Sequence, residues 1–530
     1  MLIYLLLTAA VMLSCVFLNK VSSKLGIPAL LAFIVLGMFF GSDGIVKIHF
    51  DNYAFAEQIC SVALLFIMFY GGFGTNWKQA RPTAVKAVLL SSLGVMMTSG
   101  LVGLFCHFTL GIDWLESFLI GSVIGSTDAA SVFSILRSKR LNLKYNTASL
   151  LELESGSNDP FSYMLTVILL SAMKGTASGT AIVYMIFAQL TYGILFGAGI
   201  AFVSIKLMRK IKISAGFDAV FVTAVAVLSY AVPSVLGGNG YLSTYIVGIA
   251  LGNADIKNKK TLVPFFDGLT GFMQMLLFFL LGLLSFPSQL PKVALPALAI
   301  ALFLTFAARP LAVFTLLAPF RSKISQKLIV SWAGLRGAAS IVFAVMATMN
   351  TASDRDIFHI TFCIVLFSIL LQGSLLPFLS KKLNMIDEQE DVMKTFSDYS
   401  SEVPVQFIQF TVPEEHPWCN SLVKDVILPP DTLLVMLQRA DEKLVPKGET
   451  LLLQNDTLLL SAKSPGKIEG VQLSEKKITR DSELNGKMIS QLPQKESALI
   501  ILIIRENEVI IPNGNTLLEA GDMLVINHAD

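Results

Sequence analysis

Glu154-Ser155-Gly156-Ser157-Asn158-Asp159-Pro160 is the stretch that decides how this 530-residue chain is read. It lies inside an apolar run, residues 147–173, long enough to cross the roughly 30 Å hydrocarbon core of a bilayer as a helix. A charged side chain at that depth costs about 2.5–3.5 kcal/mol even on insertion scales, so each one needs a reason. With about 100° of rotation per residue, Ser155 and Asp159 share one helix face, and Glu154 and Asn158 share the adjoining one. The first face offers a hydroxyl and a carboxylate, oxygen ligands suited to a hard monovalent cation. The second offers a carboxylate and an amide, suited to a structural ion pair. Glu152, nearer the start of the run, reads as a funnel or surface acid.

The rest of the chain has the composition that such a stretch requires. Hydrophobic residues make up 54% of it and charged residues 15%, against about 25% charged in a soluble domain. Residues 1–380 run as long apolar blocks, while residues 381–530 have ordinary soluble composition. The net charge of +2 decides nothing, and no basic run points to nucleic acid. The five cysteines show no paired spacing, and four sit in apolar blocks as small hydrophobes. Met1 to Leu18 lacks a basic start and a small-residue cleavage site, so it reads as a retained first helix rather than a leader.

Thirteen stretches are long and apolar enough to span: 2–19, 25–41, 58–75, 83–108, 115–136, 147–173, 181–205, 216–236, 239–253, 264–285, 293–318, 327–349 and 357–380. Lysine and arginine then set their sense. Alternate junctions carry 21 basic residues, from Lys20 and Lys24 to Lys381 and Lys382; the other set holds Lys47, Lys174, Lys292 and Arg355. This pattern predicts an N-terminus outside and a cytoplasmic tail.

Two further spans carry charge at an interruption. Asp128 follows Gly121, Ser122, Gly125, Ser126 and Thr127, and Arg336 sits within Gly334-Leu335-Arg336-Gly337. Small residues weaken a helix, and a broken helix lining a cavity exposes backbone groups that can coordinate an ion. Arginine stays charged and needs a carboxylate, so Arg336 is expected to pair with Glu154. Arg309, before Pro310, has no partner nameable from sequence, and Asp218 and Asp267 read as interfacial. Asp128-Ala129-Ala130-Ser131-Val132-Phe133 also parallels Gly337-Ala338-Ala339-Ser340-Ile341-Val342-Phe343. With the two spans running in opposite senses, this points to inverted repeats and a site at the midplane.

These motifs resemble the cation:proton antiporter superfamily, specifically its type-1 (sodium or potassium/proton) branch, over essentially all of residues 1–380. The resemblance rests on Ser126-Thr127-Asp128, on Glu154 to Pro160, and on Gly334-Leu335-Arg336-Gly337. It implies that Asp159 holds either a proton or the cation, with Asp128 and Ser155 as added ligands and the Thr127 backbone carbonyl at the helix break. It implies a structural polar cluster of Glu154, Asn158 and Arg336, a dimerisation bundle, and a core with two crossed, broken helices. Asn158, rather than a second Asp, is similar to the branch associated with electroneutral exchange.

Residues 400–530 contain a repeat at an offset of 66, which lays Leu433–Arg439 on Leu499–Arg505 and Pro446, Gly448, Thr450 and Asp456 on Pro512, Gly514, Thr516 and Asp522. Each copy is expected as strand, charged turn, short strand and strand. The pair resembles the C-terminal ligand-binding module of RCK (TrkA-C) regulators of potassium transport. A nucleotide or ion regulator and a ligand-free assembly role both stay open. No Gly-x-Gly-x-x-Gly occurs in the tail, which argues against NAD.

The expected architecture is thus a polytopic α-helical membrane protein of about 13 transmembrane helices with inverted repeats, followed by a small α+β tail. The expected divisions are an antiporter domain at 1–382, a linker at 383–400 and modules at 401–465 and 466–530. The expected function is export of K+ in exchange for H+ by a plasma-membrane homodimer that needs no cofactor and performs no enzymatic reaction. Na+/H+ exchange is the nearest alternative. A tail-gated cation channel is the alternative of another class, disfavoured by the lack of a Thr-Val-Gly-Tyr-Gly-like filter.

Overall fold

A computed structural model describes residues 2–25, 29–128, 131–132, 135–136, 141, 143–175, 178–211, 216–256, 259–351, 356–386, 405–429, 432–439, 442–463, 472–479, 482, 484–492, 498–505, 508–510 and 512–528. The chain divides into two compact units, Met1–Ser401 and Glu402–Asp530. Residues 387–404, with most of the expected linker, lie outside the described residues, as do Ala129, Ala130 and Phe133 of the repeat.

The first unit is a helical membrane domain. Its helices are α1 (Leu2–Leu25), α2 (Ala29–Phe40), α3 (Tyr53–Gly74), α4 (Trp77–Leu110), α5 (Trp114–Val123), α6 (Thr147–Met173), α7 (Gly179–Lys210), α8 (Phe217–Val235), α9 (Gly240–Asn253), α10 (Lys259–Leu284), α11 (Leu290–Leu316), α12 (Ile324–Trp332), α13 (Ala338–Asn350) and α14 (Ile357–Lys382). Every expected stretch is helical, and seven of these helices are individually long and apolar enough to cross a membrane, among the described residues. Helix α6 is long enough but not one of the seven, because the polar residues of its first half dilute its apolar surface.

The two spans expected to be interrupted are interrupted. The fifth stops after Val123 and is helical again at Ser131; the twelfth stops after Trp332 and resumes at Ala338. Their breaks meet: the Asp128 backbone N–H donates to Leu335 O at 2.8 Å. Three other spans contain a π-helical turn, at Leu90–Gly94, Leu304–Ala308 and Ser368–Gly373. Such turns open the backbone ladder and recur where a helix is bent to a task. Here the second precedes Arg309, and the third presents Ser368 Oγ to the Arg336 backbone N–H at 3.0 Å.

The second unit holds two four-stranded antiparallel sheets. The first takes β1 (Val405–Thr411), β2 (Thr432–Arg439), β3 (Glu442–Leu444) and β4 (Thr457–Lys463) in the order β1-β4-β2-β3. The second takes β5 (Gln472–Lys477), β6 (Ala498–Arg505), β7 (Glu508–Ile510) and β8 (Met523–His528) in the order β5-β8-β6-β7. The same bulge interrupts β2 at Leu434/Met436 and β6 at Ile500/Leu502, so the repeat seen in sequence extends to backbone register. The helical part of the expected α+β fold is small: among the described residues each copy has one 3₁₀ turn, Val423–Asp425 or Ile489–Gln491.

Each copy has an Arg–Asp ion pair at the same repeat position. Arg439 donates from Nε and Nη2 to the two carboxylate oxygens of Asp456 at 2.8 and 2.7 Å. Arg505 does the same to Asp522, at 2.8 Å for both. Each arginine also donates to a backbone carbonyl, Leu451 O or Leu517 O. The arginine ends β2 or β6 and the aspartate directly precedes β4 or β8, so the fork ties the start of one strand to the end of its sheet neighbour.

Candidate functional site

Asp159 is buried near the middle of α6, beside the fifth-span break. Ser126 Oγ donates a hydrogen bond to Asp159 Oδ1. Thr127 Oγ1 lies 2.9 Å from Ser155 Oγ and also accepts from Asn158 Nδ2. Thr127 Oγ1 thus joins Asn158 to Ser155, and either hydroxyl can donate in the Thr127–Ser155 contact. The four buried residues Ser126, Thr127, Ser155 and Asp159 form a continuous oxygen-rich patch where the broken segment crosses α6.

Asp128 has a different job in its immediate geometry. Its carboxylate accepts from Ser131 Oγ at 2.6 Å and, more weakly, from the Ser131 N–H at 3.4 Å. That is an N-cap arrangement for the resumed helix, which answers the free N–H groups and the positive end of the helix dipole. The Asp128 charge still reaches Asp159 electrostatically.

The expected pairing of Arg336 with Glu154 is not what the structure shows. Glu154, fully buried, pairs with Arg309 Nη2 at 2.5 Å. Arg336 instead donates from Nη1 to Gly125 O at 2.8 Å and Ser126 O at 2.6 Å. The reason lies in the break: a helix that stops at Val123 leaves its last carbonyls without partners and a negative dipole end. A buried guanidinium satisfies both. Arg336 stays within electrostatic reach of Glu154 and Arg309, so the cluster is Glu154, Arg309 and Arg336, with Asn158 turned toward Thr127.

Gly334-Leu335-Arg336-Gly337 now has a physical reading at every position. A Cβ on Gly334 would lie 2.9 Å from Arg309 Nε, and one on Gly337 would lie 2.4 Å from Asp128 Cβ. Gly337 has an extended φ of −146°, which any residue adopts, so space and not backbone freedom requires glycine there. Gly156 in α6 clears room likewise for the ring of Tyr245, which its Cβ would meet at 2.5 Å. Leu335 supplies the carbonyl that holds Asp128.

Sequence reasoning missed two members. Ser126 stood next to the chosen Thr127 and Asp128, but nothing in the string says which of three adjacent polar residues turns toward α6. Arg309 was seen without its partner, because its approach to Glu154 depends on the π turn before it. Glu152 is half-buried and accepts from Thr75 Oγ1 at 3.4 Å, while Asp218, expected at the interface, is buried in the first turn of α8. Asp267 accepts from Tyr70 Oη at 3.0 Å.

The family described as "Sodium/hydrogen exchanger, transmembrane" matches residues 8–382, and the TrkA-C domain matches residues 407–467 and 473–526. The "K(+)/H(+) antiporter NhaP" of Alkalimonas amylolytica is 34% identical over 448 residues, covering 84% of this chain and 78% of its own length. The "K(+)/H(+) antiporter NhaP2" of Shewanella sp. (strain ANA-3) is 34% identical over 453 residues, with the same coverage of both chains. The solved structure of the sodium proton antiporter MjNhaP1 from Methanocaldococcus jannaschii shares the fold, with a TM-score of 0.63 and 24% identity over 72% of this chain and 99% of that one. The crossing of two broken helices thus sits in a chain that belongs to the sodium/hydrogen exchanger family of membrane transporters.

Proposed function

We propose that this protein exports K+ in exchange for H+ through competition at Asp159, with Na+ as the alternative cation. The observation that carries the reading is one buried carboxylate, on an oxygen-lined patch, at the crossing of two broken helices. The charges around it support the mechanism. Arg309 and Arg336 stand against Glu154, Asp128 and Asp159, so the fully ionised cluster carries one negative charge in excess. One proton or one monovalent cation neutralises it, and a low-polarity interior favours the neutral states over any other. Loaded with either ion, the site can change its exposure; empty, it carries an uncompensated buried charge.

In this reading Asp159 and Ser155 hold the cation, Asp128 and the Thr127 carbonyl add ligands, and Asn158 sets the Thr127 hydroxyl. Residues 1–382 form the transport domain, working as a homodimer with the N-terminus outside. Residues 401–465 and 466–530 form the two modules of a cytoplasmic tail that regulates transport, with a nucleotide or ion as the small-molecule regulator. The names of the potassium/proton antiporters that this chain resembles support K+, while a "Probable Na(+)/H(+) antiporter 2" from Methanocaldococcus jannaschii, 28% identical over 345 residues, keeps Na+ in view.

The test is dequenching of a pH dye in everted vesicles with K+, Na+, Rb+ and Li+. Asp159→Asn is expected to abolish exchange with every cation while the protein still reaches the membrane. Retained proton-coupled flux in that variant overturns the assignment. Flux that ignores an imposed pH gradient in the wild type would favour the channel reading.

A further inference from the structure

A second set of titratable groups, unrelated to the exchange site, grips the connection between α10 and α11. Helix α10 packs along α2 and α3, whereas α11 packs along the first half of α14. Segment 285–289 joins these two helix groups and is held from both sides. From the α2 side, Asp43 Oδ2 accepts from the Ser288 backbone N–H at 3.1 Å and from Ser288 Oγ. From the α14 side, the Phe286 backbone N–H donates to His359 Nε2 at 2.9 Å.

The second grip fixes the state of the imidazole. His359 is 3% exposed, and its other ring nitrogen, Nδ1, lies 2.5 Å from Asp356 Oδ2. Asp356 caps α14, accepting from the His359 backbone N–H at 3.0 Å. Only a neutral ring with its proton on Nδ1 satisfies both contacts, donating to Asp356 and accepting from Phe286. A protonated ring keeps Asp356 as counter-ion, but its Nε2–H then faces the Phe286 N–H at 2.9 Å with no acceptor between them. One proton therefore turns a hydrogen bond into a donor–donor contact. Imidazole is the side chain whose ordinary titration falls between about pH 5 and 8. The Asp356 side chain is 38% exposed and gives solvent protons a path to the buried ring. The other titratable groups facing the pair are Asp43, Tyr53 at the start of α3 and Cys363 one turn along α14.

We propose that His359 is a proton-operated latch on the 285–289 hinge: neutral, it clasps the hinge to α14; protonated, it lets go. Helix α14 packs on α13, whose first residue follows Gly337 against Asp128, so the latch bears on the element that lines the exchange site. By the proposed topology the hinge faces outside, which makes the latch a sensor of external acid that eases relative movement of the two helix groups. The latch itself stands on the contacts alone; its effect on transport rests on the antiporter reading. His359 is a positioning residue and touches no transported ion in this scheme.

Two measurements separate these claims. Hydrogen–deuterium exchange on the full chain in lipid nanodiscs, corrected for intrinsic rates, follows segment 285–289 from pH 8 to pH 5. The expected result is roughly a ten-fold loss of protection in acid, the order of one hydrogen bond lost, and a flat response in His359→Gln, whose amide can accept from Phe286 without titrating. A flat wild-type response overturns the latch whatever the protein transports. The second measurement is Rb+-for-K+ exchange in proteoliposomes with internal pH clamped and external pH varied. The expected result is faster exchange in external acid for the wild type and no such response in His359→Gln. If the hinge opens but exchange does not respond, the regulatory role falls and the antiporter reading stands. Asp356→Asn covers the case in which His359→Gln does not fold: loss of the counter-ion should move the acid response to lower pH, and an unmoved response counts against the latch.

Discussion

The fifth and twelfth spans break in the same way and are opposite in charge. Each stops, runs through a short non-helical segment and is helical again, yet one break carries Asp128 and the other carries Arg336. The two cross, with the Arg336 charge answering the other span's backbone and the Asp128 carboxylate accepting from Ser131 of its own span. Arg336 takes the orphan carbonyls of Gly125 and Ser126, while Asp128 lies against Gly337 at the start of α13. A carboxylate beside a helix N-terminus and a guanidinium beside a C-terminus are both favourable to the helix dipoles. The repeat builds one scaffold twice, and the difference in charge lets the halves lock together without an ion. In the proposed mechanism the exchanging carboxylate is Asp159, which belongs to neither break.

This contrast can be broken deliberately. Arg336→Gln should have the largest effect: removal of a buried guanidinium leaves two carbonyls short of donors, a cost of about 3–5 kcal/mol. A steep drop in thermal stability of the purified protein and loss of exchange are expected, and Arg336→Lys should rescue little because one ammonium cannot reproduce the fork. Gly337→Ala comes next. Its new Cβ would collide with Asp128, and overpacking of this kind costs about 1–3 kcal/mol; folded protein with exchange reduced at least several-fold is the expected outcome of vesicle assays. Ser126→Ala is milder, since one hydrogen bond to the site is worth about 1 kcal/mol. It should raise the half-saturating cation concentration several-fold with little change in stability. An unchanged value would remove Ser126 from the site.

The tail supplies the smallest effect on transport and a different use of charge. Hydrogen bonds from Arg505 hold the Asp522 carboxyl below the usual carboxylate range. A carboxylate with a lowered folded-state pKa adds stability that is present above its unfolded value near 3.9 and is lost as pH falls through the folded one. Melting of the tail should therefore be flat around neutrality and fall below about pH 4. Asp522→Asn should cost about 1–3 kcal/mol at neutral pH, remove much of that acid dependence and leave the exchange site untouched.

The amount legible in sequence differed between elements for identifiable reasons. Hydropathy located the helical stretches, because a bilayer imposes one length and one apolar requirement on each. The interruptions at 124–128 and 333–337 were also visible, since glycine, serine and buried charge cannot continue an apolar helix cheaply. The i, i+4 spacing placed Ser155 and Asp159 on one face of α6. The same spacing said nothing about which arginine would meet Glu154, because that choice is made across helices.

Sequence by itself therefore determined the helical membrane unit, the repeated β tail, the two breaks and the carboxylate on which the proposed exchange turns. Each is a local property, set by hydropathy, period and the cost of charge in lipid. Tertiary structure alone decided the partnerships: Arg309 with Glu154, Arg336 with the carbonyls of the fifth span, Ser126 with Asp159 and His359 with Phe286. These join residues far apart in the chain, and a buried polar group pairs with whatever the packing brings within hydrogen-bonding distance.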